Sequence, residues 1–213
     1  KMIRPTTIPQ TVEDLHIEQA IAREALRLAL DQHKQFAVGL KGVQQERSVS
    51  DAFEQVGSGQ SLIDMFALNL IIGSGGILSH APRRVQTMQM LIDAYTPLGI
   101  TQIAVDSIFM MPHLGVLSTI HEQAASEVFN KDCLIPLGPC VAPNGVGNHG
   151  EPCFSYALQL SDGTTQEEEL SYGSLRLIPL AADQRADIEL MPTRKFDFGR
   201  DYEAAKNAFR RRN

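Results

Sequence analysis

The chain has 213 residues, 43% hydrophobic and 21% charged, which is a globular composition and excludes a disordered or collagenous protein. Lys and Arg number 19 against 25 Asp and Glu, and a net charge of −6 excludes a protein built around a basic nucleic-acid surface. The longest apolar stretch, Met65 to Ile72, is interrupted by Asn69 and falls short of the ~20 residues of a membrane span.

Lys1-Met2-Ile3-Arg4-Pro5 runs straight into polar residues and does not read as a secretory signal. The prolines and the start of residues 1–10 are those expected of a segment cut from a longer protein. Cys133, Cys140 and Cys153 are odd in number and contain no C-x-x-C pair, so buried, reduced thiols in a cytoplasmic setting are expected.

Thr11 followed by Asp14 is a capping box with Asp in place of Glu, and it predicts a helix running to about Lys34. Ile17, Ile21, Ala25 and Leu28 recur at helical spacing and are expected to form its apolar face. Residues 41–61 read as a polar loop with a short helix at Ser50–Gln55. Ala67–Ile72 reads as a buried strand, and Gly73-Ser74-Gly75-Gly76 as a tight turn. Pro82 suits the first position of a helix that carries Val85, Met88 and Tyr95 and ends at Pro97 and Gly99. Ile100–Val105 predicts a second buried strand, closed by Asp106. Beyond Pro112, Leu114, Leu117 and Ile120 begin a helical pattern, followed by a second helix from Glu122 to Asn130. Helices and buried strands joined by short connections predict an α/β layer architecture.

After the turn cluster Asn144–Gly150 the periodicity changes. Phe154, Tyr156, Leu158 and Leu160 alternate as in a half-buried strand, and Asp162-Gly163 marks a hairpin. Glu167-Glu168-Glu169 reads as a solvated hairpin arm, and further strands are expected at Ser174–Pro179, Ala186–Met191 and around Phe196 and Phe198. The expected domains are an α/β lobe over 1–143, a small antiparallel β unit over 151–199 and a helical tail over 200–213. Arg210-Arg211-Arg212 reads as the solvated end of that tail.

The glycine turn is the first candidate site. Gly73, Gly75 and Gly76 permit close backbone approach, and ligands in α/β folds bind at the carboxyl ends of strands. Leu78 stands where a G-x-G-x-x-G motif needs its last glycine, and no Gly-Lys-Ser/Thr follows, so the turn is neither a dinucleotide fingerprint nor a Walker loop. Spacing alone leaves nucleotide contact and a purely structural turn both open. Ser79, His80, Arg83 and Arg84 follow. A guanidinium can stack on a base or pair with phosphate, or the arginines can be solvated first-turn residues. Asp106 can cap the next turn or line the same crevice. The 6 histidines show no metal-ligand spacing, and the absence of Gly-x-Ser-x-Gly excludes a nucleophile elbow.

From Ile72-Gly73-Ser74-Gly75-Gly76 through Pro82-Arg83-Arg84-Val85-Gln86 the sequence resembles the adenosine motif of the actin, sugar-kinase and heat-shock chaperone ATPase superfamily. Val105-Asp106-Ser107-Ile108-Phe109 through Leu114-Gly115-Val116-Leu117, with residues 133–143 and Phe196-Asp197-Phe198-Gly199, resembles the C-terminal half of glutamate mutase accessory proteins of the MutL/GlmL type. The resemblance covers roughly residues 11–199. It implies an actin-like, ribonuclease H-like ATPase lobe followed by a small antiparallel β unit. It also implies an ATP-dependent reactivating factor for adenosylcobalamin-dependent glutamate mutase, which helps exchange damaged cobalamin.

In that reading Gly73, Ser74, Gly75 and Gly76 face the nucleotide, Ser79, His80, Arg83 and Arg84 contact it, and Asp106 is a further candidate. The implied cofactor is ATP or ADP with Mg, not covalently bound. The implied partners are the mutase subunits and an N-terminal lobe that carries the phosphate loops. No Asp-x-Gly-rich phosphate loop occurs in this chain, so it is expected not to hydrolyse ATP alone. The alternatives are the C-terminal half of a small-molecule kinase or hydantoinase-like ATP-dependent enzyme, and a non-enzymatic module that binds the mutase.

Overall fold

A computed structural model of the protein describes residues 8–37, 63–181 and 184–199. The expected loop at 41–61, the helix at Ser50–Gln55 and the tail over 200–213 lie outside the described residues. Among the described residues no helix is long and apolar enough to cross a membrane.

Helix α1 spans Val12–Phe36. Its start is set locally: Thr11 Oγ1 accepts from Asp14 N at 3.1 Å and Asp14 Oδ2 accepts from Thr11 N at 3.2 Å. These bonds satisfy two backbone groups that the helix itself leaves unpaired. Arg27 pairs with Glu24 and Asp31 on the exposed surface, where solvent screens such ion pairs strongly.

The apolar face expected for α1 is not the one that packs. Ile17, Ile21 and Leu28 are about half exposed and Ala25 is exposed, whereas Glu18, Gln19 and Ala22 are buried. The seam against α3 follows the Gln19 and Ala22 row, where the small Ala22 permits close approach, and Arg23 reaches Asp93 of α3 at 2.8 Å.

Strand β1 (Leu70–Gly73) leads through a short helix α2 (Gly76–Ser79) to α3 (Arg84–Tyr95), then β2 (Gly99–Asp106). A 3₁₀ turn at Met65–Ala67 precedes β1, so the strand begins later than expected. Pro82 lies before the N-cap Arg83 rather than at the first helical position. Thr101 Oγ1 bonds Leu68 O, Gln102 N bonds Asn69 O, and Ser74 Oγ bonds Asp106 Oδ2. Both chains advance in step through these pairs, so β1 and β2 are parallel. Helix α4 (Met111–Val128) follows, broken at His121, whose φ of −146° and ψ of 81° are non-helical. His121 Nδ1 accepts from Ala124 N at 3.1 Å and so caps the second half, which separates the two helical patterns seen in the sequence. A π turn at Phe129–Cys133 leads to β3 (Leu134–Ala142), and the order in this three-stranded sheet is β1-β2-β3.

The remaining strands are β4 (Asn144–Gly145), β5 (Pro152–Leu160), β6 (Thr165–Ser171), β7 (Ala186–Pro192) and β8 (Phe196–Asp197). β5 is central and pairs antiparallel with β6 and with β7. The hairpin closes as its Asp-Gly turn predicts: Gly163 N bonds Leu160 O at 3.0 Å and Thr164 N bonds Asp162 Oδ1 at 2.8 Å. The alternating residues Phe154, Tyr156 and Leu158 share one core with Cys153, Leu190, Phe196 and Phe198. Phe154 and Phe198 meet edge to face at 5.2 Å, a geometry worth ~0.5–1.5 kcal/mol beyond burial.

No strand forms at Ser174–Pro179. Gly173 turns the chain at φ 83°, Ser174 N returns to Ser171 O, and Leu175 and Leu177 stay exposed.

The chain falls into two compact units that alternate along the sequence. One comprises Lys1–Asp64, Ile72–Thr96 and Val105–Ile135, the other Met65–Ile71, Pro97–Ala104 and Pro136–Asn213. The division therefore differs from the boundary expected after residue 143. Asn144 and Gly145, read as part of a turn cluster, form a short strand and pair with Asp197 and Phe196. A side chain at Gly145 would collide with the Phe196 ring and the Lys195 carbonyl, so glycine is what lets β4 lie there. In the first unit, Leu114, Ala125 and Cys133 form a core with Met110 and Phe129 around them.

Candidate functional site

The glycine turn leaves the carboxyl end of β1. Gly73 is buried, and a Cβ placed on it would meet Leu91 Cδ1 at 3.0 Å and Leu78 Cδ1 at 3.2 Å. Its smallness serves the packing of strand against helix. Gly75 is the N-cap of α2, with φ 101° and ψ 156°, a conformation essentially confined to glycine. Its carbonyl accepts from Leu78 N at 3.0 Å and Ser79 N at 2.8 Å.

Gly76 is different. Its φ is not positive, and a Cβ there would meet no atom of the described residues within 4 Å beyond its own neighbours. Neither backbone conformation nor packing among the described residues requires glycine at this exposed position.

The polar candidates divide into those that hold the turn and those that face outward. Ser79 is 1% exposed, and its hydroxyl donates to the Asp106 carbonyl at 2.5 Å. Arg84 Nη1 donates to Ser79 O at 2.7 Å, which satisfies a carbonyl at the end of α2. His80 and Arg83 are exposed on the stretch between α2 and α3. The Arg83 amide donates to Gln86 Oε1 at 3.0 Å and opens α3.

Asp106 ends β2 beside the turn and is fully buried. Its Oδ2 accepts from Met111 N at 2.8 Å and from Ser74 Oγ at 3.1 Å. Its Oδ1 accepts from Met110 N at 3.1 Å and Ile108 N at 3.4 Å. Burial pushes this carboxyl up, but the bonds from Met111, Met110, Ser74 and Ile108 outweigh it and hold the group below its ordinary value. Asp106 is thus a charged N-terminal cap for α4, delivered from the preceding strand, and it is tied to the glycine turn through Ser74.

The structure thus brings Ser74, Ser79, Arg84 and Asp106 into one hydrogen-bonded group beside Gly75 and the exposed Gly76. Residues that sequence reasoning missed complete the group. Thr87, fully buried, donates to Leu78 O at 2.8 Å, and Ser107 N donates to Cys133 O at 2.9 Å. Phe109 takes φ 59°, uncommon for a bulky residue. The signal for the cap was present in Asp106 followed by Pro112 near the start of α4, but it could not identify which amides the carboxylate takes.

A model of the family described as MutL protein matches residues 1–133. The chain belongs to this family of glutamate mutase accessory proteins. The MutL match contains every candidate residue from Gly73 to Asp106 and stops at Cys133. The sequence resemblance had extended to Gly199, and the MutL match does not reach that far. No curated protein and no solved structure matches the chain.

Proposed function

We propose that this MutL-family protein binds an adenine nucleotide at the Gly75–Gly76 turn and serves as an ATP-dependent reactivating factor for adenosylcobalamin-dependent glutamate mutase. The observation that carries the reading is Gly76. It is an exposed glycine at the start of α2, just beyond the carboxyl end of β1, with open space among the described residues where a side chain would lie and no conformational need for glycine. Such a position fits a flat ligand that approaches the main chain closely. The outward-facing His80 and Arg83 are suited to contact that ligand. Ser79 and Asp106 act instead by holding the turn in place. In this reading the lobe is of the actin-like, ribonuclease H-like kind. Bound nucleotide supplies the free energy of phosphate transfer, while Mg and the γ-phosphate are handled by a second, N-terminal lobe. Among the described residues no three His, Cys, Asp or Glu side chains cluster as a metal site.

The test is Gly76→Val in the full-length protein. The open space predicts little change in thermal stability without ligand, within about 0.5–1 kcal/mol for a β-branched residue in a helix's first turn. MgADP affinity, measured by calorimetry, is expected to fall at least about tenfold, or ~1.4 kcal/mol. Unchanged affinity would refute nucleotide binding at this turn. A wild type that binds no nucleotide would favour the purely mutase-binding module.

A further inference from the structure

Ser74 is the only hydroxyl on the glycine turn, and a serine hydroxyl has a single proton to donate. In the structure that proton goes to Asp106 Oδ2. The same carboxylate holds the amides of Ile108, Met110 and Met111, and so it fixes the left-handed Phe109 and the first turn of α4. Asp106 is fully buried, so water does not readily replace a lost donor. Left-handed backbone at a bulky residue persists only where its surroundings hold it.

We infer that the Ser74 hydroxyl is a latch: an acceptor oxygen arriving at the glycine turn draws its hydrogen bond away, Asp106 loses a donor, and the Phe109 turn with the start of α4 loosens. As a link from ligand to α4, this inference rests on the proposed nucleotide reading of the turn. As a link from Ser74 to α4, it stands on the geometry alone. The change is conformational, with no covalent step. A ligand with equal affinity for the latched and unlatched forms would shift nothing, and competition for one proton supplies the required difference.

The experiment is amide hydrogen exchange at Ile108–Met111, read with and without MgADP, with binding measured separately by calorimetry. In wild type without ligand these amides are expected to be protected. Saturating MgADP is expected to raise their exchange about tenfold, the scale of one bond to a charged group. Ser74→Ala is expected to show that raised rate without ligand and to respond no further. Ser74→Thr keeps the hydroxyl and is expected to behave as wild type. If Ser74→Ala leaves the amides as protected as in wild type, the latch is wrong whatever the nucleotide does. If Ser74→Ala loosens them and bound MgADP does not, ligand control of the latch is overturned. If MgADP fails to bind while Ser74→Ala still loosens them, the nucleotide reading falls and the Ser74 link to α4 is upheld.

Discussion

The Ser79 hydroxyl donates to the main-chain carbonyl of Asp106 at 2.5 Å, joining the end of α2 to the end of β2 across 27 positions of sequence. Both groups are shielded from water, so neither has an alternative partner close by. Ser79→Ala removes the donor and leaves the carbonyl under-satisfied. It is expected to cost about 1–3 kcal/mol in urea unfolding, with no change in the slope against denaturant. A cost near zero would mean that this bond does not hold the turn against the strand.

Asp106 is expected to make stability depend on acid. Its folded carboxyl lies below the ordinary value of 3.8, so it binds fewer protons folded than unfolded as pH falls toward that value. Its contribution is complete above the ordinary value and is lost as pH drops through the lowered folded one. Asp106→Asn, which puts amide hydrogens among backbone donors, should cost about 2–3 kcal/mol at pH 7. The gap from wild type should narrow as pH falls below 3.8. A gap that is constant from pH 7 into that acid range would show that the carboxylate's charge is not what holds α4.

All three cysteines, Cys133, Cys140 and Cys153, are free and buried. Burial pushes the Cys140 thiol up to about 11 and raises the other two, with the Asp106 and Asp132 charges adding to the effect at Cys133. The thiolate is the reactive form and is scarce at such values. Native protein treated with iodoacetamide at about pH 8 should gain no label at these positions, and protein unfolded in guanidinium should gain label at all of them. Labelling of the native protein at the rate of a free thiol would contradict the packing around these side chains.

What the sequence determined by itself was local. Thr11 and Asp14 lie three positions apart and cap α1 wherever that helix packs. The alternation from Phe154 to Leu158 buries one face of a strand, and Asp162-Gly163 closes its hairpin without help from distant residues. The glycine turn between β1 and α2 was legible for the same reason: Gly75 needs a conformation that glycine alone adopts readily. Only the tertiary structure decided which face of α1 packs, because aliphatic residues lie on more than one side and the seam follows Ala22, not Ile17 and Ile21. It also decided that Ser174–Pro179 joins no sheet, and that Asn144 and Gly145 of the turn cluster pair with β8. At the candidate site, sequence supplied the residue types but not their roles. Ser74 and Asp106 stand 32 positions apart, and only the parallel pairing of β1 and β2 sets them side by side. Once there, the carboxylate is spent on the amides of α4, because a buried charge without donors costs more than the fold can bear.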